Sequence, residues 1–259
     1  MMISCLMVTR DRLQLACRAI RSYADQTHPG RELVIVTDGT DRYRATLRRY
    51  ARFAGAPHVR FANPPTAGRT LGALRNLSLD AARGDLVCQW DDDDCSHPQR
   101  LAAQAAHLLE QRADASFMTE HLQFFEDDRT LSWIDWTLEG EGAGKEFVAP
   151  GTLMMRRDIG LRYPEAGRRA RRGEDSVLLE RLHAEAAVTH FRGAGHLFLY
   201  QYHGRNTFSR AHHRALGDYR RTSVAHLRAH ERELRAAAAY YRIPAPLAVV
   251  GREGTAFTL

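Results

Sequence analysis

The stretch Leu86-Val87-Cys88-Gln89-Trp90-Asp91-Asp92-Asp93-Asp94-Cys95-Ser96-His97-Pro98-Gln99-Arg100-Leu101 runs an apolar segment straight into four carboxylates. Two like charges about 6 Å apart repel by roughly 1 kcal/mol in water, and by several times that beside a protein wall of lower effective dielectric. Such a run therefore implies a neighbouring positive charge. In an extended segment Asp91 and Asp93 share one side while Asp92 and Asp94 share the other, so one pair is free to face a cation. Hard oxygen ligands suit Mg²⁺ or Mn²⁺, and Mg²⁺ is commonly held by one or two carboxylates plus substrate phosphates. A second reading is that the acids only complement the next helix, with Asp94 near its amino end. Both readings stand on the residues alone.

Upstream of this stretch two periods alternate. Ile3 to Val8 is a compact apolar run, and Leu13, Ala16, Cys17 and Ile20 then recur at helical spacing. Leu33 to Val36 reads as a second strand, Tyr43 to Phe53 as a helix, and Val59 to Phe61 as a short third strand. After the turn-rich Asn63-Pro64-Pro65-Thr66-Ala67-Gly68, a helix from about Thr70 to Ala82 leads into the strand Leu86 to Trp90. Ser96 with Gln99 predicts a capping box for the helix that follows. The order βαβαβαβ is that of a mostly parallel sheet flanked by helices, with ligands outside the carboxyl ends of its strands. Asp38, the turn at Thr9 and Asp91 to Asp94 all fall at those ends, so they are expected to converge.

The second half is less regular. Ala115 to Glu120, Leu131 to Leu138 and Thr152 to Met155 read as strands, interrupted by Glu139-Gly140-Glu141-Gly142-Ala143-Gly144. A helix is expected from Glu174, then an extended stretch from His196 to Tyr202. From Arg210 to Arg242 the chain is rich in alanine and arginine, with Val224, Leu227, Leu234 and Tyr241 on one face. That stripe predicts a helical extension packed on the domain or forming a homodimer.

Composition narrows the function classes. A hydrophobic content of 44% in 259 residues supports a sizeable core. No window approaches the roughly 20 apolar residues of a membrane span, and the amino end has no basic leader, so a cytoplasmic protein is expected. Cys5, Cys17, Cys88 and Cys95 form no CxxC pair, which argues against disulfides and structural zinc. The net charge of +6 invites a nucleic-acid partner, yet only Lys145 among the 37 basic residues is a lysine. That skew reads as genome composition, and no nucleic acid is expected. Arg168-Arg169-Ala170-Arg171-Arg172 is the densest basic run, a solvated loop or a contact with phosphate or an anionic membrane.

Competing motifs fail on spacing. An EF-hand loop opening at Asp91 would place Ser96 at its glycine position and Ala102 at its glutamate position. A phosphate loop ending at Gly144-Lys145 lacks glycine at Glu139 and a hydroxyl at Glu146. Gly193-Ala194-Gly195 has Phe198 in place of the third dinucleotide glycine, and no G-x-S-x-G elbow occurs.

Several landmarks do follow one another in a recognisable order. These are Thr9-Arg10-Asp11-Arg12, Val36-Thr37-Asp38-Gly39-Thr40, Leu74-Arg75-Asn76, Ala82-Arg83-Gly84-Asp85 and the acid run with Pro98 and Leu101. The series resembles the family 2 glycosyltransferases with the GT-A fold, a Rossmann-like α/β architecture. The resemblance continues through Thr152 to Arg157, Gly173-Glu174-Asp175 and Tyr202 to Thr207, and so covers about residues 2 to 209. It implies a glycosyltransferase domain over 1–209 with the helical extension 210–259 outside it.

The resemblance also implies roles. Thr9, Arg10 and Asp38 would surround a nucleotide base, with Asp38 accepting the uracil N–H and the Arg10 guanidinium stacking on the ring. Arg75 would approach the diphosphate. Asp93 matches the metal-binding acid of the DxD element, Asp91 and Asp92 would touch ribose, sugar or the metal shell, and His203 would reach the metal or the phosphates. Asp175 would be the general base with Glu174 beside it. The implied activity is inverting, Mn²⁺- or Mg²⁺-dependent transfer from a nucleotide-sugar donor, a UDP-sugar, to a hydroxyl acceptor that is a glycan or lipid-linked. Val8 stands where the family commonly has proline, and Thr37 where it has the first of two aspartates, which weakens the base assignment more than the metal one. A non-catalytic basic binding module on the same fold and a sugar nucleotidyltransferase are the competing functions. Trp133 and Trp136, within Glu120 to Lys145, are candidates for stacking on an acceptor or for filling core.

Overall fold

A computed structural model describes residues 1–62, 68–138 and 148–259 of the chain. In chain order the elements begin β1 (Ile3–Thr9), α1 (Leu13–Ala24), β2 (Arg31–Thr37), α2 (Asp41–Phe53), β3 (Val59–Ala62), α3 (Leu71–Ala81) and β4 (Leu86–Gln89). Next come β5 (Cys95–Ser96), α4 (Arg100–Glu110), β6 (Ala115–Met118), β7 (Glu120–Phe125), β8 (Thr130–Asp135) and β9 (Met154–Arg156). The chain ends with α5 (Glu174–Glu185), β10 (Val188–Phe191), β11 (Phe198–Tyr202), α6 (Arg210–Arg220), α7 (Val224–Ala229), α8 (Glu231–Tyr240), β12 (Ala248–Gly251) and β13 (Gly254–Thr258).

Two compact units divide these elements. The first comprises Met1–Asp94, Pro98–Phe117 and Pro150–Thr189; the second Cys95–His97, Met118–Ala149 and His190–Leu259. The first is built on a seven-stranded sheet in the order β10-β6-β9-β4-β1-β2-β3. Strands β3, β2, β1 and β4 are parallel neighbours, and β9 runs antiparallel to both β4 and β6. The expected alternation of strands and helices up to Trp90 is therefore observed. Ile3, Cys5 and Met7 of β1 and Leu33 and Ile35 of β2 pack with Ala16, Ile20 and Tyr23 of α1 and Leu47 of α2, all fully buried. Burial of each large aliphatic side chain contributes about 1.5–3 kcal/mol, which makes this layer the rigid base of the unit.

Helix α3 starts where the sequence indicates, because Thr70 Oγ1 accepts from Ala73 N at 3.2 Å. Its second residue is Gly72 for a steric reason: a Cβ there would lie 1.9 Å from the carbonyl oxygen of Pro164. Two residues beyond Leu74, Asn76 clasps the same segment. Its Nδ2 donates to the Tyr163 carbonyl at 2.9 Å and to Glu165 Oε1 at 2.7 Å, while its Oδ1 accepts from Tyr163 N at 3.0 Å.

The helix starts later than the Ser96–Gln99 pattern places it. Ser96 belongs to β5 and pairs with Phe198 of β11, and α4 starts at Arg100 with Gln99, not Ser96, at its N-cap and no side-chain cap there. The acid run is likewise not a plain extended segment, since a turn occupies Asp92 and Asp93.

The second unit carries a six-stranded sheet in the order β13-β12-β8-β7-β11-β5. Trp133 lies in its core with Leu122, Leu131 and Leu199, whereas Trp136 is only half-buried under the guanidinium of Arg220, 4.6 Å from the ring centre. The tail is not helical throughout: after α6, α7 and α8 it ends in the β12–β13 hairpin, which joins the sheet beside β8. The boundary expected at 209/210 falls inside this unit. Leu227 and Leu234 of the tail stripe are fully buried in the same core, with Val224 and Tyr241 packed against it. The stripe packs within its own unit, the first of the two expectations for it. The turn-rich stretch at 63–67 and the glycine-rich stretch at 139–144 lie outside the described residues, as does the end of the acceptor segment through Lys145.

Replacing Gly72 by alanine is expected to destabilise the chain by about 1–3 kcal/mol or more, the range for overpacking a tight contact. Urea unfolding checks it.

Candidate active site

The carboxyl ends of β1, β2 and β4 are adjacent because the three strands are parallel and in register, Thr9 opposite Thr37 and Leu6 opposite Gln89. Trp90 anchors the exit of β4, donating from Nε1 to the Ala19 carbonyl at 3.0 Å, so the acid run emerges at a fixed point. Beyond it exposure alternates. Asp92 and Asp94 are buried, and the side chains of Asp91 and Asp93 keep 21% and 18% of their surface.

Asp92 is satisfied from β1. Thr9 Oγ1 donates to its Oδ2 at 2.5 Å, and Tyr43 Oη lies 2.5 Å from the same threonine hydroxyl. Arg12 completes the arrangement, binding Asp92 through Nε and Nη2 and Asp93 through Nη1 at 2.8 Å. Burial, and then the charge of Asp93, raise the affinity of Asp92 for a proton, against the opposing pull of Arg12 and Thr9.

Asp91 is satisfied from elsewhere. Its Oδ1 lies 2.9 Å from Arg75 Nη2, and its Oδ2 accepts from Gln89 Nε2 at 2.7 Å. Gln89 is in turn fixed by Tyr163, whose hydroxyl donates to Oε1 at 3.1 Å. Arg75 is buried, donates from Nε to Glu174 Oε1 at 2.8 Å, and sits 5.6 Å from the centre of the Tyr163 ring. Burial alone would lower its pKa, but Asp91 and Glu174 more than reverse that, so the guanidinium is held charged.

Glu174 and Asp175 open α5 after Gly173, whose φ of 85° is the left-handed conformation that favours glycine. Glu174 is buried and half-buried Asp175 accepts from Ser176 N at 2.8 Å. Burial and the neighbouring charge of Glu174 push Asp175 up to about 6, opposed by Arg75. A carboxylate so poised is a competent proton acceptor near neutral pH.

The structure thus joins Thr9, Asp92 and Asp93 around Arg12, and Asp91 and Glu174 around Arg75, with the two sets linked through the adjacent residues of the acid run and Asp175 next to Glu174 in the chain. Asp38, at the end of β2, is joined to this edge through Arg10, whose Nη1 lies 3.2 Å from its Oδ2. His203 belongs to the second unit, in the turn after β11, where its backbone N donates to Asn206 Oδ1 at 2.9 Å.

A family model described as glycosyl transferase family 2 matches residues 4–155, well over half of the chain. The chain belongs to glycosyl transferase family 2. Among family 2 relatives, WcaA of Escherichia coli (strain K12), named for colanic acid biosynthesis, is 34% identical over 107 residues, 41% of this chain and 37% of WcaA. The match therefore spans well under half the length of that curated relative. Among solved structures, residues 1–349 of S. aureus TarS in complex with UDP-GlcNAc superimpose with a TM-score of 0.58 at 17% identity, over 78% of this chain and 59% of that one. The mannosyltransferase PcManGT from Pyrobaculum calidifontis, in complex with GDP-Man and Mn²⁺, gives 0.58 at 14%, over 94% and 70%. At such identities the likeness is one of fold, and the fold is GT-A.

Sequence reasoning gave no role to Arg12, Tyr43, Gln89 or Tyr163 in this family 2 site. The parallel register alone would have placed Tyr43 beside Thr9 only with the helix packing known. For Arg12 a signal existed, since four adjacent carboxylates require a counter-charge and the turn after β1 offers two arginines.

Replacing Arg75 by methionine leaves Glu174 buried without its cation. The expected loss is about 3–5 kcal/mol, as for breaking one side of a buried pair. Chemical denaturation of Arg75→Met against Arg75→Met/Glu174→Gln tests it, the double variant recovering part of the loss.

Proposed function

We propose that this chain transfers a sugar from a nucleoside diphosphate donor, a UDP-sugar, to a hydroxyl of a growing glycan or lipid-linked saccharide, with inversion at the anomeric carbon. The observation that carries the reading is the arrangement of acids at one sheet edge. Asp91, Asp92 and Asp93 lie beside the nucleotide-side residues Thr9, Arg10 and Asp38, and Arg75 links Asp91 to the Glu174–Asp175 pair. WcaA's name and the UDP-GlcNAc and GDP-Man complexes of TarS and PcManGT support the class of donor and of product, as properties of those proteins.

The chemistry of the donor set fits a divalent cation at Asp93. It is a hard oxygen ligand and is partly exposed, and a cation of this kind needs only one or two carboxylates besides the diphosphate. Asp91 fits less well as a ligand, because Arg75 and Gln89 already engage both its oxygens. Among the described residues no group of three or more His, Cys, Asp or Glu is preassembled to hold a metal. A bound cation supplies positive charge for the leaving diphosphate.

The protein residues do the rest. Asp38 accepts the imide N–H of the base, and Arg10, largely exposed, is free to move onto the ring face. Arg75, fixed by Asp91 and Glu174, holds the acid run in register with α5 and presents positive potential toward the phosphates. Asp175 takes the proton of the acceptor hydroxyl as that oxygen attacks the anomeric carbon opposite the diphosphate, which inverts the centre. Glu174 keeps the base from becoming too weak by opposing its ionisation, and Arg75 limits that effect.

No described helix is long and apolar enough to cross a membrane. A lipid-linked acceptor would therefore be met at a bilayer surface, by peripheral contact with anionic lipid on the cytoplasmic side.

Replacing Asp175 by asparagine is expected to lower kcat by about 10²-fold or more, with donor affinity retained. In the wild type kcat should fall as pH drops through about 6, since protonated Asp175 cannot accept the acceptor's proton. Asp175→Asn should lose that acidic limb. A thermal-shift screen of UDP- and GDP-sugars followed by turnover of the best donor provides both measurements, and full kcat in Asp175→Asn would place the base elsewhere. For the base-recognition residue, Asp38→Ala is expected to weaken UDP binding by about 1–3 kcal/mol, read by calorimetry.

A further inference from the structure

Arg12 has two carboxylate partners with very different surroundings. Asp92, at 1% exposure, is enclosed with Thr9 and Tyr43 and receives two of the guanidinium's nitrogens. Asp93, at 18%, receives only Nη1, at 2.8 Å. The arginine itself keeps 31% of its side-chain surface and stands at the N-cap of α1, a helix with no acidic residue in its first turn. Its side chain does not cap that helix. It serves the acid run instead.

We propose that Arg12 is an internal counter-ion that competes with the divalent cation for Asp93, so that loading of the site is an exchange. The proposal rests on the reading of Asp93 as the cation ligand. With no cation bound, Arg12 neutralises Asp93 and keeps the acid run compact. When a cation arrives, Asp93 gives up its contact with Nη1, while Nε and Nη2 remain on Asp92. The freed Nη1 is then a donor beside the place where the nucleotide diphosphate binds. The cation alone must displace an arginine, which weakens its binding. The diphosphate brings negative charge for both the cation and the released Nη1, so cation and nucleotide bind better together than apart.

This arrangement differs from that of Arg75. Its partner Asp91 is as open as Asp93, but its other partner Glu174 is 4% exposed and its own side chain keeps 10% of its surface against 31% for Arg12, so it has no comparable freedom to exchange.

The test is a Mn²⁺ titration followed by the electron paramagnetic resonance of the free ion, with the metal alone as probe and no nucleotide. Wild type, Arg12→Gln, Arg12→Lys, Asp93→Asn and Arg12→Gln/Asp93→Asn are compared, with thermal melting to confirm that each is folded. Arg12→Gln should bind Mn²⁺ more tightly than wild type by about tenfold, the scale of one charge-assisted hydrogen bond. Arg12→Lys keeps a charge without the two-pronged geometry and should fall between them. The double variant should lose the gain. Repeating the titration with UDP, after correction for Mn²⁺ bound by UDP itself, should show a smaller nucleotide effect in Arg12→Gln than in wild type. A purely structural arginine would give unchanged or weaker Mn²⁺ binding on removal. Unchanged or weaker binding in folded Arg12→Gln, with binding still abolished by Asp93→Asn, overturns the exchange and leaves Asp93 as ligand. Mn²⁺ binding indifferent to Asp93→Asn removes the ligand assignment itself, and the exchange with it.

Discussion

Carboxylates from two distant parts of the chain meet at one sheet edge, and two arginines make that meeting tolerable. Asp91, Asp92 and Asp93 follow β4, while Glu174 and Asp175 open α5 some 80 positions later in the chain. Without cations the concentration of negative charge in partly dry surroundings would oppose folding, since repulsion grows as the effective dielectric falls. Arg12 spans Asp92 and Asp93, and Arg75 spans Asp91 and Glu174. Much of the surrounding structure serves those two contacts. Gly72 lets α3 approach Pro164, and Asn76 grips Tyr163 and Glu165, so the chain leading to α5 is held against the helix that carries Arg75.

Burial then divides the acids into kinds. Asp92 is enclosed, and its hydrogen bonds make it part of the framework that ties β1 and α1 to the acid run. Asp91 is half open but fully engaged by Arg75 and Gln89, which suits it to transmit position more than to accept a ligand. Asp93 combines partial exposure with its contact to Arg12, and Asp175 combines partial exposure with a proton affinity raised toward neutrality. Residues of the same chemical type thus differ in their chemistry through solvent access and through which cation stands beside them.

What was legible in the sequence follows from which signals are local. The apolar runs of β1, β2 and β4 and the helical spacing of α1 and α3 are local; the parallel order of strands then brought Thr9, Asp38 and the acid run to one edge. The alternation of Asp91 to Asp94 was also legible, although a turn at Asp92 and Asp93, not an extended strand, produces it. Ser96 misled because Ser and Gln three residues apart satisfy a capping pattern whether or not a distant strand claims the serine, as β11 does here. The β12–β13 hairpin was hidden by its short strands, and the stripe at Leu227 and Leu234 gave an apolar face without saying what covers it. The partners of Arg12 lie 80 and 81 positions away, beyond any window of periodicity.

The contrast between the two arginines bears on how such a site stays both stable and responsive. A guanidinium enclosed by two carboxylates is costly to move, because any displacement leaves buried charges without partners. That is the position of Arg75, which joins the acid run to α5 through the buried Glu174 and opposes the rise in the proton affinity of Asp175. Arg12 has the same chemical group, but its own side chain keeps 31% of its surface against 10% for Arg75, and there water and incoming ions replace a lost partner at lower cost. That one guanidinium is enclosed and the other partly open follows from where each arginine enters: Arg75 from within α3, Arg12 from the loop before α1.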